Sequence, residues 1–242
     1  AEATTGRTNA QSTLINELQF QGSSGDDRFT WQAGAYLESN NPLGFSGVQT
    51  ATLTSCVDIT ALNCVGFTPG LSLGTGSFSL TQNKFRDTAD YGQASYKLTD
   101  SLTFTAGLRY TWDRVNSLLI NQTINYTSLT TSCSNLTAGQ FGQVFPVSSR
   151  FNVCHQRLSK STSAPTWTVG LDFKPADAML VYGKWSRGYR QGGLAFFGPD
   201  PLQPFNAERV DTYEIGAKSS WRGSFPGFFN ISGFYNDFRD QQ

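Results

Sequence analysis

The sequence predicts an all-β chain, an antiparallel up-and-down transmembrane β-barrel wall of about eight strands. Three observations carry this reading. Apolar residues recur at every second position in eight segments, short and long links between those segments alternate strictly, and aromatic residues gather at both ends of the segments.

The fourth segment is the clearest. Leu102, Phe104, Ala106, Leu108, Tyr110 and Trp112 alternate with Thr103, Thr105, Gly107, Arg109, Thr111 and Asp113. A strand turns successive side chains to opposite faces, so this segment has one greasy and one wet face. Taken in order, the first segment spans about 12–20 and is weaker. In the second, Phe29, Trp31, Ala33, Ala35 and Leu37 alternate with Thr30, Gln32, Gly34, Tyr36 and Glu38. The third spans about 87–98. In the fifth, Trp167, Val169, Leu171 and Phe173 alternate with Thr168, Gly170, Asp172 and Lys174. The sixth spans about 178–190. The seventh sets Tyr213, Ile215 and Ala217 against Glu214, Gly216 and Lys218. The eighth sets Phe229, Ile231, Gly233 and Tyr235 against Asn230, Ser232, Phe234 and Asn236.

The links at 21–27, 98–100, 174–177 and 222–226 are short and rich in turn residues. The others, at about 39–86, 114–161 and 191–208, are long. Bacterial outer-membrane barrels have short periplasmic turns and long extracellular loops, whereas a soluble sandwich has no reason to sort its loops by end. Tyr110, Trp112, Trp185, Tyr189 and Tyr213 fall near the long links, and Phe29, Tyr96, Phe173, Trp221 and Phe229 near the short ones. Two such belts suit the two membrane interfaces. A soluble extracellular β-rich binding module with an aromatic core is the alternative that period-two alternation leaves open.

Composition narrows the function. Lys and Arg number 18 against 18 Asp and Glu, so no basic surface is available for nucleic acid. No apolar run reaches the roughly 18 residues of a membrane helix. The mean hydropathy of −0.33 suits a barrel with a polar lumen. Residues 1–10 contain no signal-peptide pattern, so the sequence reads as a mature or truncated chain.

All four cysteines, Cys56, Cys64, Cys133 and Cys154, lie in the long links. Of the three possible connectivities, loop-local pairing of Cys56 with Cys64 and of Cys133 with Cys154 is the simplest. Such bridges imply an oxidising compartment. No pair has metal-binding spacing, and the single histidine, His155, sits beside Cys154 in a predicted loop, so no metal or cofactor site and no catalytic set is expected. Gly74-Thr75-Gly76 reads as a flexible loop, not a phosphate cradle.

Charged residues mark the polar face. Arg109, Asp113, Asp172, Lys174, Glu214 and Lys218 share it, with Glu17, Gln19 and Glu38. Both signs occur, so ion pairs and water are expected there. The run 186–193 ends the sixth segment at the outer mouth. It places Arg190 on the polar face, with Gln191 after it, and Arg187 and Tyr189 on the apolar face. Arg190, Gln191, Arg109 and Asp113 are the candidate ligand contacts. Asp172, Lys174, Glu214 and Lys218 are the candidate lumen lining.

Four stretches resemble the barrel of TonB-dependent outer-membrane receptors. They are NELQFQ at 16–21; YKLTD at 96–100 leading into TAGLRY at 105–110; YGKWSRGYRQGG at 182–193; and ERVDTYEIGAK at 208–218 followed by FYNDF at 234–238. The resemblance implies a larger barrel of about 22 strands closed around an N-terminal plug. It implies uptake of a scarce nutrient such as a siderophore–iron complex, cobalamin, haem or a glycan. Energy would come from a TonB–ExbB–ExbD complex acting through a plug and TonB box. Neither these nor the last barrel strand is recognisable in the sequence, so residues 1–242 are expected to be one barrel segment, a fragment of a protein in the bacterial outer membrane. A passive porin is the alternative that explains the alternation but not these stretches. An outer-membrane hydrolase is disfavoured by the absence of histidine from the predicted strands.

Overall fold

A computed structural model describes residues 2–4, 10–52, 54–59, 61–66, 74–134, 141–195 and 204–241. Eight long antiparallel strands form one continuous wall. They are β1 (Gln11–Ser23), β2 (Phe29–Pro42), β3 (Thr75–Lys97), β4 (Leu102–Asn125), β5 (His155–Ala176), β6 (Met179–Arg190), β7 (Glu208–Trp221) and β8 (Gly227–Arg239). Each pairs with its neighbours in sequence order, and among the described residues β1 and β8 each have a single partner in the wall. The sheet is therefore open.

The turn at 24–28 shows why the short links are short. The Ser24 hydroxyl donates to Asp26 at 2.6 Å, and the Arg28 amide donates to the same oxygen at 3.2 Å. These bonds hold the Asp26 carboxyl below the ordinary carboxylate range. Asp27 adopts the left-handed conformation with φ of 53°, which Asp tolerates better than most residues.

Register sorts the faces as the alternation predicts. Leu18, Trp31, Leu108, Leu171, Trp185, Tyr213, Ile215 and Ile231 lie on one face and are exposed. Leu108 is 57 % and Ile215 66 % exposed, so these side chains do not meet in a dry interior. Trp167, Trp185 and Tyr213 form a row across three strands, with Trp185 and Tyr213 stacked at 6.1 Å. No helix among the described residues is long and apolar enough to cross a membrane. That says nothing about strands.

The central strands run further than the sequence suggests. β3, β4 and β5 have 23, 24 and 22 residues, so parts of the stretches 39–86 and 114–161 that read as loop are strand. Thr75 and Gly76 open β3 rather than lying in a flexible loop, and His155 opens β5. Beyond Trp112 the greasy-and-wet pattern gives way to mixed residues such as Arg114, Asn116 and Leu118, which hides the strand from a polarity reading. At this far end Phe78, Leu80, Ile120, Ile124, Tyr126 and Val147 make the main buried cluster, with Phe45 and Leu62 packed against it. The Gln122 amide, fully buried, donates to the carbonyls of Arg150 at 2.7 Å and Val153 at 3.1 Å and accepts from Thr131 at 2.7 Å. Burial lowers the affinity of the Arg150 guanidinium for its proton. Disulfides join Cys56 to Cys64 and Cys133 to Cys154, and the second ties the segment ahead of β5 to a short strand beside β4.

Candidate functional site

The polar face carries two networks. The first spans β1 to β4 and centres on Arg109. Its guanidinium lies 5.1 Å from the Tyr36 ring centroid and 6.0 Å from that of Tyr91, within cation–π range, and Nε donates to Thr111 at 3.2 Å. The Tyr36 hydroxyl donates to Glu38 at 2.5 Å and that of Tyr91 to Glu17 at 2.6 Å. Tyr91 reaches across a whole strand to do so. Gly34 lies beneath it: a Cβ there would meet the Tyr91 hydroxyl at 2.6 Å. Glycine at 34 is thus what lets the ring lie flat on the sheet. Gln19 and Gln32 bond at 3.2 Å beside this network. Together with Glu17, Tyr91, Gln93 and Arg109 they line an open concavity of about 490 Å³.

One residue beyond Trp112, Asp87 and Asp113 stand directly opposite on β3 and β4. Asp113 is 8 % exposed. The Tyr189 hydroxyl donates to Asp113 and lies 3.1 Å from the Thr162 hydroxyl. Register alone puts Tyr189 on the apolar face. The β5–β6 ladder stops at Trp167–Arg187, just before Pro165, which has no N–H to continue it. Tyr189 therefore reaches around the unpaired stretch.

The second network lies on β5 to β7. Tyr182 donates to Glu214 at 2.6 Å, Lys184 pairs with Glu214 at 3.1 Å, and Lys218 Nζ sits 5.6 Å from the Tyr182 centroid. Asp172 is directly opposite Tyr182. Tyr182 lies over Gly216, where a Cβ would meet the ring at 2.6 Å. Lys174 is exposed at the short-turn end, its amide bonded to the Ser101 carbonyl at 2.7 Å.

Arg109 therefore centres the first network, and Asp113 lies beyond it, held by Tyr189; Glu214 and Lys218 meet in the second, with Asp172 across the ladder from Tyr182. Arg190 pairs with Glu208 at 3.3 Å, its side chain 75 % exposed, and Gln191 follows in coil. Lys174 joins neither network. Sequence reasoning missed the tyrosines that hold both clusters. Their signal was a tyrosine on the polar register, opposite or diagonal to a carboxylate. His155 Nε2 lies 3.1 Å from the Phe151 carbonyl oxygen, and the described residues contain no group of three or more His, Cys, Asp or Glu placed to hold a metal.

A neighbour-to-neighbour antiparallel wall, apolar on one face and ionic on the other, defines a segment of an up-and-down barrel. The chain matches the family described as TonB dependent receptor-like, beta-barrel over residues 2–242, and it belongs to that family. No curated protein matches it in sequence. Among solved structures it is similar to the ferric yersiniabactin uptake receptor FyuA from Yersinia pestis, with TM-score 0.62 and 15 % identity over 96 % of this chain and 29 % of that one. It is also similar to the siderophore receptor PiuA from Acinetobacter baumannii, with TM-score 0.58 and 12 % identity over 93 % of this chain and 31 % of that one. At such identity the likeness shows the fold. The chain spans less than a third of the length of either receptor.

Proposed function

We propose that this chain is part of the wall of an outer-membrane transporter that takes up a scarce nutrient such as a siderophore–iron complex. Its apolar face meets lipid and its ionic face lines the lumen. TonB–ExbB–ExbD is the energy-coupling partner, acting through a plug. The observation that carries the reading is the Arg109 network, which offers a fixed cation between two aromatic rings beside an open polar concavity. Such a surface suits a polar, anionic or aromatic ligand. Arg109 and Asp113 contact the ligand in the lumen and Arg190 and Gln191 at the mouth. Asp172, Lys174, Glu214 and Lys218 line its path. Membership of the receptor family and the names of the two similar receptors support this reading.

The test is uptake of radiolabelled ferric siderophores by cells carrying the complete native protein, with and without TonB. The expected result is TonB-dependent accumulation of one ligand class. In the Arg109→Gln variant its affinity falls by about tenfold, the loss of one charged contact. TonB-independent, non-saturating permeation would identify a passive porin.

A further inference from the structure

Three carboxyls stand in one row across the polar face. Glu38 on β2 is directly opposite Asp87 on β3, and Asp87 is directly opposite Asp113 on β4. Neighbouring strands lie about 4.8 Å apart, and like charges facing each other at that spacing destabilise a ladder. Asp113 is buried, and one carboxyl oxygen of Asp87 is buried without a partner. Among the described residues no ion pair reaches any of the three. The groups around Asp113 are few. β2 brings Glu38 and Tyr36, which are bonded to each other, and β3 brings Asp87. Arg109 lies two rows away along β4, engaged with Tyr36, Tyr91 and Thr111. β5 brings Thr162 and, one row outward, Lys160, and β6 brings Tyr189.

The Asp87 and Asp113 carboxyls are hydrogen-bonded to each other. A bond between two carboxyls requires a proton on one of them, so the pair holds a proton in common. Asp113 also accepts from the Tyr189 hydroxyl. Tyr189 immediately precedes Arg190 and Gln191 at the mouth. Beyond them Gly193–Leu194 pairs with Pro204–Phe205 and lies against β5, with Leu194 buried. Lys160, on the polar face of β5, donates to Asn206 at 3.2 Å. The mouth segment is thus folded onto the polar face, and Tyr189 ties its root.

We propose that Tyr189 is a proton-dependent latch for the mouth: it holds the segment from Arg190 against the wall while Asp87 and Asp113 share a proton, and lets it go when that proton leaves. Tyr189 is a positioning residue that acts through Asp113. Ionising both carboxyls replaces a hydrogen bond by repulsion. A buried carboxylate gains hydration only by moving outward, and Asp113 then leaves Tyr189. The latched state binds the proton more tightly than the released state, so latching is favoured as pH falls and lost as pH rises. The latch rests on the transporter reading only in taking the polar face as the lumen.

Hydrogen exchange on the complete native protein in nanodiscs, without nutrient, gives protection factors for amides 190–195. The two conditions are about pH 5.5 and about pH 8.5, a window across which an ordinary aspartate stays ionised. Wild type loses about tenfold in protection at the higher pH, equivalent to one unit of difference in proton affinity between the two states. Asp87→Asn removes the facing charge and stays protected at both. Tyr189→Phe is poorly protected at both. Equal protection of wild type at the two pH values overturns the proposal. So does a pH response in Asp87→Asn as large as that of wild type, or wild-type protection in Tyr189→Phe. If Tyr189→Phe fails to fold, judged by heat-modifiable gel mobility, Asp87→Asn alone decides. No nutrient is present, so this result stands apart from that of the uptake assay.

Discussion

At the scale of single residues, the polar face is organised by tyrosines lying on glycines. Tyr91 crosses Gly34 to reach Glu17, and Tyr182 covers Gly216 beside Glu214. The Tyr91 hydroxyl and ring would sit 2.6–2.7 Å from a Cβ at position 34, so Gly34→Ala must push the ring away. The Glu17 bond and part of the Arg109 stacking are then lost. Overpacking of this kind costs about 1–3 kcal/mol. The expected outcome is a lower temperature of heat-modifiable gel mobility in the complete protein. Gly233→Ala is the control: a Cβ at 233 meets nothing within 4 Å, so this change leaves the temperature in place. Parity made the placement of Arg109 and Glu17 on one face legible in sequence. Their connection was not legible, because Glu17 and Tyr91 are 74 residues apart and nothing local states which strand lies between them.

At the scale of elements, the sequence shows a strand clearly only where its two faces meet different solvents. Between 102 and 113 one face is greasy and the other polar, and the alternation is plain. From 114 to 125 the ladder with β3 continues without a break, yet Val115, Leu119, Ile120 and Ile124 are all buried, on both faces. With neither face consistently wet, the period disappears while the hydrogen bonds persist. The short turns were legible for the opposite reason, since Asp26, Asp27 and Ser24 write the geometry locally. The outer extension is tied by Cys133–Cys154, which closes a loop of sequence separation 21. By the chain-entropy account a loop of this size is stabilised by about 3 kcal/mol. Cys133→Ala/Cys154→Ala should therefore raise the rate of proteolysis within 134–153 several-fold. Heat-modifiable mobility of the barrel should stay as it was, because the wall ladders from Trp112 to the turns do not involve this bridge. Equal cleavage rates in wild type and variant would show that the bridge does not hold the extension.

At the scale of the whole molecule, one question orders the rest: which solvent the apolar face meets. Exposure by itself does not answer it, because an open wall shows both faces to the surroundings. A substitution whose sign differs between water and lipid does answer it. Ile215 is 66 % exposed, in mid-strand on the apolar face, opposite Gly183 and Gly233. In water, exchanging an exposed isoleucine for lysine is within about 0.5 kcal/mol of neutral. Near the middle of a bilayer the same exchange costs about 2–4 kcal/mol. Thr105→Lys is the matched change on the polar face, where a charge stays hydrated and the cost is that of the hydroxyl bond to Ser95, about 1 kcal/mol. The complete protein in bilayers, unfolded by urea, should therefore show Ile215→Lys well below wild type and Thr105→Lys close to it. Ile215→Lys at the wild-type midpoint would mean that this face meets water. The ionic networks of β1 to β7 would then be an exposed surface, not a lumen.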